Sequence, residues 1–339
     1  AEKNLGKTKL NPSVGSIVVK NGSVISSGVT SLNGRPHSEF NALNNLKNIT
    51  GASLYTTLEP CTHYGKTPPC VNIIIKKKIK NVYYAFEDPD VRTFKKAKKI
   101  LNLKGIKTKL IQSTKYKKFY KSYFINKKFN IPFITGKIAI SSDYQTINKK
   151  SKWITNVASR QMVHLLRSQY DCILSTSKSI NKDNSLLNCR IDGLNNYKPD
   201  LFIIDLNLKL KKNLALNTLL NKRKTYLITK KINSKNILIY KKKGYKIIFL
   251  DKLENKSDLY LFFKKIYKLG YSRIFTETGL SFLNNLIRNN VIHDLYIFKS
   301  DIKLGKNGKN NDTIKYLKKI SSRLLNINLN GDKIYKKEF

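Results

Sequence analysis

Pro60-Cys61-Thr62-His63-Tyr64-Gly65-Lys66-Thr67-Pro68-Pro69-Cys70 is the stretch that decides how the first third of this chain reads. It runs from a strand-like segment, 52–58, into a helix predicted over 69–78, with Pro69 suited to a first helical turn. Upstream, Pro36-His37-Ser38-Glu39 opens another predicted helix, with Phe40, Leu43 and Leu46 at three-residue spacing. One histidine and two cysteines make three protein ligands, His37, Cys61 and Cys70, and a catalytic zinc keeps its fourth position for water. Cys70 falls at a helix N-terminus, where the dipole favours the thiolate that binds metal. Zinc lowers the pKa of its water toward ~7, and Glu39, two residues past the histidine, can reach that water without being a ligand. It is the predicted proton carrier.

Working outward, 16–19 and 24–27 read as a hairpin around the Asn21-Gly22 turn. With strands at 82–86 and 107–111 and a helix at 94–103, the opening is an α/β unit of roughly five strands. Residues 113–130 are basic and aromatic and read as one helix. A second α/β unit begins at Ile131-Pro132-Phe133, with strands at 134–140, 172–174, 201–205, 225–228, 246–250, 273–276 and 295–298. Helices fall between them, notably 156–168 and 259–269. The expected organisation is a first domain over 1–118, a linker helix over 119–130 and a second domain over 131–339.

With 339 residues the chain suits two cores, and a 40% hydrophobic share excludes a disordered tail. No apolar run approaches the ~20 residues of a membrane span, and the start lacks a secretory signal's apolar stretch. The expected location is cytoplasmic, with no membrane partner. Four cysteines are too few for a disulfide scaffold, and Cys172 and Cys189 read as ordinary buried thiols. The 66 Lys+Arg against 21 Asp+Glu leave a formal charge of +45, a field that attracts polyanions. Lysine is spread along the whole chain beside abundant asparagine and isoleucine, so the charge reads as composition, and no nucleic-acid partner is expected.

The H-x-E segment followed by P-C…C resembles the signature of zinc base deaminases. The eight residues between the cysteines, with Asn11-Pro12-Ser13-Val14-Gly15 upstream and Glu87-Asp88-Pro89-Asp90 downstream, make the chain similar to the bifunctional riboflavin-biosynthesis deaminase/reductase family. The resemblance continues through Lys137 to Asp143, Ser151 to Thr155, His164 to Arg167, Lys182 to Arg190, Thr276 to Gly279 and Lys303 to Gly305, and so covers almost the whole chain. It implies an N-terminal cytidine-deaminase-like α/β/α domain followed by a dihydrofolate-reductase-like α/β reductase domain. The first would deaminate a diaminopyrimidinone carrying a phosphoribosylamino group. The second would reduce the ribosyl chain to ribityl with NADPH.

It also implies site residues. Asn11 would meet the pyrimidine edge, Glu59 would add polar contacts in the pocket, and Lys66 would meet the substrate phosphate. His63 reads as pocket lining rather than a fourth ligand. In the second half Lys137, Arg167 and Arg190 supply cations for the phosphorylated sugar, and Asp183 and Glu277 orient its hydroxyls. Ser151, Trp153, Thr155 and Gly279 are expected to bind the cofactor. The family's opening helix is expected to be truncated or absent ahead of Asn11. Three of the family's glycine positions read Tyr144, Ser177 and Thr278, where a dinucleotide backbone needs room. Two alternatives follow: a deaminase with a degenerate reductase domain, and a nucleic-acid-directed deaminase. A homo-oligomer acting on a small phosphorylated pyrimidine is the leading expectation.

Overall fold

A computed structural model describes residues 1–112, 114–194, 197–231 and 235–339. The chain divides into two compact units, Ala1–Ile131 and Pro132–Phe339.

In the first unit the strands are β1 (Gly15–Lys20), β2 (Ser23–Val29), β3 (Ser53–Thr56), β4 (Asn81–Tyr84) and β5 (Lys107–Leu110), in sheet order β2-β1-β3-β4-β5. Asn21 and Gly22, at φ 51° and 77°, take the left-handed geometry a two-residue hairpin needs between β1 and β2. β1 is antiparallel to both neighbours, and β3, β4 and β5 run parallel. Helices α1 (Ser38–Leu43), α2 (Cys70–Lys76) and α3 (Lys96–Asn102) pack on this sheet. Val18, Leu43, Leu54, Ile74, Val82 and Leu101 are fully buried between the layers. At Gly28 an added Cβ would stand 2.3 Å from the Ser38 carbonyl oxygen, so only glycine lets the start of α1 approach β2 this closely.

Helix α4 (Thr114–Phe129) also belongs to the first unit. Its aromatics recur at three- and four-residue spacing and make one apolar face. Tyr120 and Tyr123 are buried against Val14 and Leu58, with Phe119 and Phe124 beside them. Each buried ring removes 150–250 Å² from water, roughly 4–6 kcal/mol gross at ~25 cal/mol per Å². The segment expected as a linker is therefore a packed layer of the unit that precedes it.

The second unit contains β6 (Phe133–Ile140), β7 (Ile147–Asn148), α5 (Val157–Arg167), β8 (Cys172–Thr176), α6 (Ser177–Asp183), β9 (Asp200–Ile204), β10 (Thr225–Thr229), α7 (Lys235–Lys242) and β11 (Lys246–Phe249). Then come α8 (Lys256–Lys268), β12 (Arg273–Thr276), α9 (Leu280–Arg288), β13 (Asp294–Lys299), β14 (Gly308–Lys309), α10 (Lys315–Lys319), β15 (Arg323–Leu324) and β16 (Lys333–Glu338). The main sheet has the order β11-β10-β9-β8-β12-β6-β13-β16-β15, and β7 pairs with β14 apart from it. Strands from β11 through β13 are parallel, while β16 and β15 add antiparallel pairs at one edge. β10 is buried at all five residues, as expected of a parallel strand covered on both faces. Helix α5 is capped by Asn156, whose side chain accepts from the Ser159 amide, and α8 carries a reciprocal Asn255–Asp258 capping box.

Candidate functional sites

His37 has extended backbone (φ −73°, ψ 161°) just ahead of α1. Its Nδ1 lies 3.5 Å from Cys61 Sγ and 3.4 Å from Cys70 Sγ. Cys61 follows β3 in the loop, and Cys70 is the first residue of α2, whose amide donates to Cys61 Sγ at 3.2 Å. All three ligand atoms fall within 4.8 Å of one another. One nitrogen and two soft sulfurs at this separation suit zinc. The buried His37 Nε2 has no hydrogen-bond partner among the described residues. The hydrogen bond from Cys70 draws the Cys61 thiol down to about 4 against the opposing effect of burial, and Cys70 is pushed well up.

Glu39 is buried in the first turn of α1. Its Oε2 accepts from Ser38 Oγ at 3.0 Å, and Ser38 Oγ is 2.8 Å from Ser16 Oγ. Burial, reinforced by the Cys61 sulfur, raises the carboxyl above its ordinary range. A carboxylate that takes up protons this readily beside the ligand set is what proton transfer requires.

Around this centre the other expected residues separate. Asn11 is half-buried, and its Nδ2 donates to the Gly34 carbonyl at 2.9 Å, two residues before Pro36-His37. Lys66 is exposed at the crest of the inter-cysteine loop. His63 Nδ1 is 3.1 Å from Thr93 Oγ1, and burial, helped by Arg92, lowers its pKa. Glu59 is held by backbone amides. Its Oε2 accepts from the Asp88 and Lys95 amides and its Oε1 from the Ala97 amide, each at 3.1 Å. Both oxygens serve the 88–97 backbone. Sequence reasoning passed over Arg35, whose guanidinium hydrogen-bonds Thr67 of the same inter-cysteine loop; its place beside Pro36-His37 was the available signal.

In the second unit a cavity of about 710 Å³ opens at the carboxyl ends of the central strands. Lys137, Ser151, Trp153, Thr155, Arg167, Asp183, Arg190, Glu277 and Gly279 all line it. The parallel register explains part of this convergence. Thr276 pairs with Gly136 on one side and Leu174 on the other, so Lys137, Glu277 and Ser175, each one step further, stand abreast. Glu277 makes a two-pronged ion pair with Arg167, Nε to Oε1 at 2.5 Å and NH2 to Oε2 at 2.9 Å. Despite its burial, the Arg167 charge holds the Glu277 carboxyl below its ordinary range. Lys137 Nζ has no hydrogen-bond partner among the described residues and lies 5.8 Å from the Phe298 ring centroid. Burial lowers its pKa, opposed by the charge of Glu277. At the C-terminal end of α6, Asp183 has a carboxyl raised by burial, with Lys182, Lys152 and Lys137 opposing.

Trp153 is half exposed at the cavity wall, with the Arg160 guanidinium 4.6 Å from its ring centroid. Gly279 caps α9, and Thr176 caps α6 by accepting from the Ser179 amide, so two helix N-termini open on the cavity beside Lys178. Amides at helix starts and nearby cations fit the phosphates of a dinucleotide. Of the three replaced glycines, Thr278 lines the cavity. Tyr144 does not; it keeps a glycine-like φ of 64°, with Lys299 Nζ 4.3 Å from its ring centroid. Ser177 also stands outside the lining and donates to Asp205 Oδ1 at 2.7 Å. His164 and Arg160 line the cavity as well; neither was singled out from sequence, although His164-Leu165-Leu166-Arg167 places the histidine one helical turn before Arg167.

Comparison with known proteins bears on both sites. Residues 132–324 match the family described as the RibD C-terminal domain, and residues 1–86 match the cytidine and deoxycytidylate deaminase zinc-binding region. The riboflavin biosynthesis protein RibD of Aquifex aeolicus is 32% identical over 303 residues, covering 88% of this chain and 83% of the relative. That of Buchnera aphidicola is 32% identical over 322 residues, covering 91% and 86%. The solved structure of Acinetobacter baumannii RibD superposes with a TM-score of 0.84 at 24% identity over 98% of this chain and 94% of that one, which is a likeness of fold.

Proposed function

The chain belongs to the RibD family of riboflavin-biosynthesis enzymes, with deaminase and reductase activities, and on that premise we propose how its residues divide the work. The first unit hydrolytically deaminates 2,5-diamino-6-(5-phosphoribosylamino)pyrimidin-4(3H)-one to 5-amino-6-(5-phosphoribosylamino)uracil, and the second reduces the ribosyl chain to ribityl. A Thermotoga maritima protein of the same fold, TM-score 0.83 at 23% identity, is described as a deaminase and reductase of this kind.

His37, Cys61 and Cys70 hold zinc, which when bound supplies an activated water near neutral pH. Deamination places a water oxygen on the ring carbon and releases the amine as ammonia. Glu39 takes the proton from the incoming water at its carboxylate and gives it to the departing amine. Its buried, proton-retaining carboxyl suits that double duty. Asn11 meets the pyrimidine edge, and Lys66 meets the phosphate at the exposed loop crest. Glu59 braces the 88–97 segment that backs His63 through Thr93.

NADPH supplies the hydride to the second unit. Ser151, Trp153, Thr155 and Gly279 would hold it, and the amides at the starts of α6 and α9 would serve its phosphates. Arg190, exposed at the cavity, meets the phosphorylated end of the sugar, and Arg167 holds Glu277 in place. Asp183 and Glu277 orient sugar hydroxyls. Lys137, a half-buried ammonium with a weakened hold on its proton, can deliver it to the sugar oxygen.

The observation that carries this reading is the meeting of His37, Cys61 and Cys70 within 4.8 Å beside the buried Glu39. Relatives matched over most of their length disfavour a nucleic-acid-directed deaminase and a relic second domain. Ammonia release from the phosphorylated diaminopyrimidinone, compared with cytidine and tRNA, tests it; turnover on tRNA alone would refute it. NADPH oxidation at 340 nm on the deaminated product tests the second half. The reading includes a cytoplasmic homo-oligomer, checked by sedimentation; among the described residues no helix is long and apolar enough to cross a membrane.

A further inference from the structure

Arg223, two residues before the start of β10, is buried, and no carboxylate lies within ion-pair distance of it among the described residues. Burial brings its pKa down to about 10, so it remains a cation at neutral pH. A buried arginine without an acid must spend its donors on carbonyls. Its NH1 donates to the Leu187 carbonyl and, at 3.3 Å, to that of Pro199, and its NH2 donates to the Leu186 carbonyl at 2.6 Å. Leu187 stands at φ 48°, a left-handed conformation that a branched L-residue adopts only when its surroundings impose it. The guanidinium therefore grips the two carbonyls on either side of a strained turn.

The next residue joins that turn to the reductase cavity. The Asn188 carbonyl accepts from Arg167 NH1 at 2.9 Å, and its side-chain Oδ1 accepts from Arg190 NH1 at 2.6 Å. The Arg190 amide points to His164 Nδ1 at 3.2 Å. Both arginines thus take their bearings from one residue, whose backbone direction is set by the left-handed turn before it. We propose that Arg223 is a positioning residue of the reductase site, clamping the Leu186–Leu187 turn so that Asn188 aims Arg167 and Arg190 into the cavity. It does not line the cavity itself. The inference rests on the reading of that cavity as the site of the phosphorylated sugar.

The test uses the full chain and four variants: Arg223→Lys, Asn188→Ala, the two combined, and Arg190→Ala. Lysine keeps the charge and loses the fork that spans two carbonyls. Arg223→Lys is expected to raise the reductase KM for the deaminated substrate at least tenfold while kcat stays within threefold and ammonia release is unchanged. Asn188→Ala should shift KM in the same direction, and the double variant should be no worse than the worse single one, because both break one chain of contacts. A general loss of packing would not reproduce that non-additivity or the split between KM and kcat. An unchanged KM in Arg223→Lys while Arg190→Ala raises it would overturn the proposal and leave the cavity reading standing. KM losses that multiply in the double variant would also overturn it. If Arg223→Lys fails to fold, Asn188→Ala decides, and a wild-type KM there overturns the clamp. An Arg190→Ala enzyme with unchanged KM would remove the cavity reading and the proposal with it.

Discussion

Glu39→Gln separates proton transfer from architecture. Glutamine has nearly the same volume, and its carbonyl oxygen can still accept the Ser38 hydroxyl, so the helix start and the ligand set beside it should survive. What disappears is a carboxyl that can take up and release a proton, one whose burial raises it above its ordinary range. General acid–base catalysis contributes roughly 10²–10⁴-fold, and here one carboxyl serves both the incoming water and the leaving amine. No ready substitute stands by: His63 is committed to Thr93, and Glu59 to three backbone amides. The deaminase kcat should therefore fall by about 10³-fold or more, some 4 kcal/mol in barrier height. The assay is ammonia release, with zinc content measured on the same sample. NADPH oxidation on the deaminated product is an internal control and should not change. A variant that keeps its zinc and more than a tenth of its kcat would refute Glu39 as the proton carrier. Loss of zinc would show that its duty is structural.

Lys66→Ala should raise the deaminase KM for the phosphorylated substrate and barely alter the dephosphorylated analogue; equal losses on both would make Lys66 a loop residue. Arg167→Met strands the buried Glu277, and breaking such a pair costs about 3–5 kcal/mol, so thermal unfolding of the second unit should shift down sharply while ammonia release persists. An unshifted transition would mean that the pair is not held in solution. Burial, with the charges of Arg167 and Arg190, keeps His164 neutral with its pKa at about 4. A base depressed in this way contributes stability that is full above its ordinary ~6.5 and is lost as pH falls toward the folded value. The second unit should weaken between those limits, and His164→Gln should flatten the slope; an unchanged slope would assign the loss to other groups.

Much of the deaminase centre could be read along the chain because its chemistry is local. His37 with Glu39, and Cys70, lie at helix starts, and Cys61 in the loop that leads to one, where the residue types alone state what can be ligated and what can carry a proton. The apolar runs likewise marked β1 to β6 and β8 to β13 within a residue or two. β15 and β16 escaped notice: Arg323–Leu324 is only two residues long, and Lys333–Glu338 has one short apolar pair among lysines, with no period-2 pattern to mark an edge strand. α4 read as a linker because nothing local says which unit its aromatic face will meet; Val14 and Leu58 decide that. Glu59 could be seen as an acid before Pro60-Cys61, but whether it faces substrate or backbone depends on where residues 88–97 return. In the second unit the chemical residues were named one by one, and the register of three parallel strands set Lys137, Ser175 and Glu277 side by side. Arg223 carried no signal of its own. Its role arises from burial without an acid, beside a turn 36 residues away in sequence, and only tertiary packing creates that need.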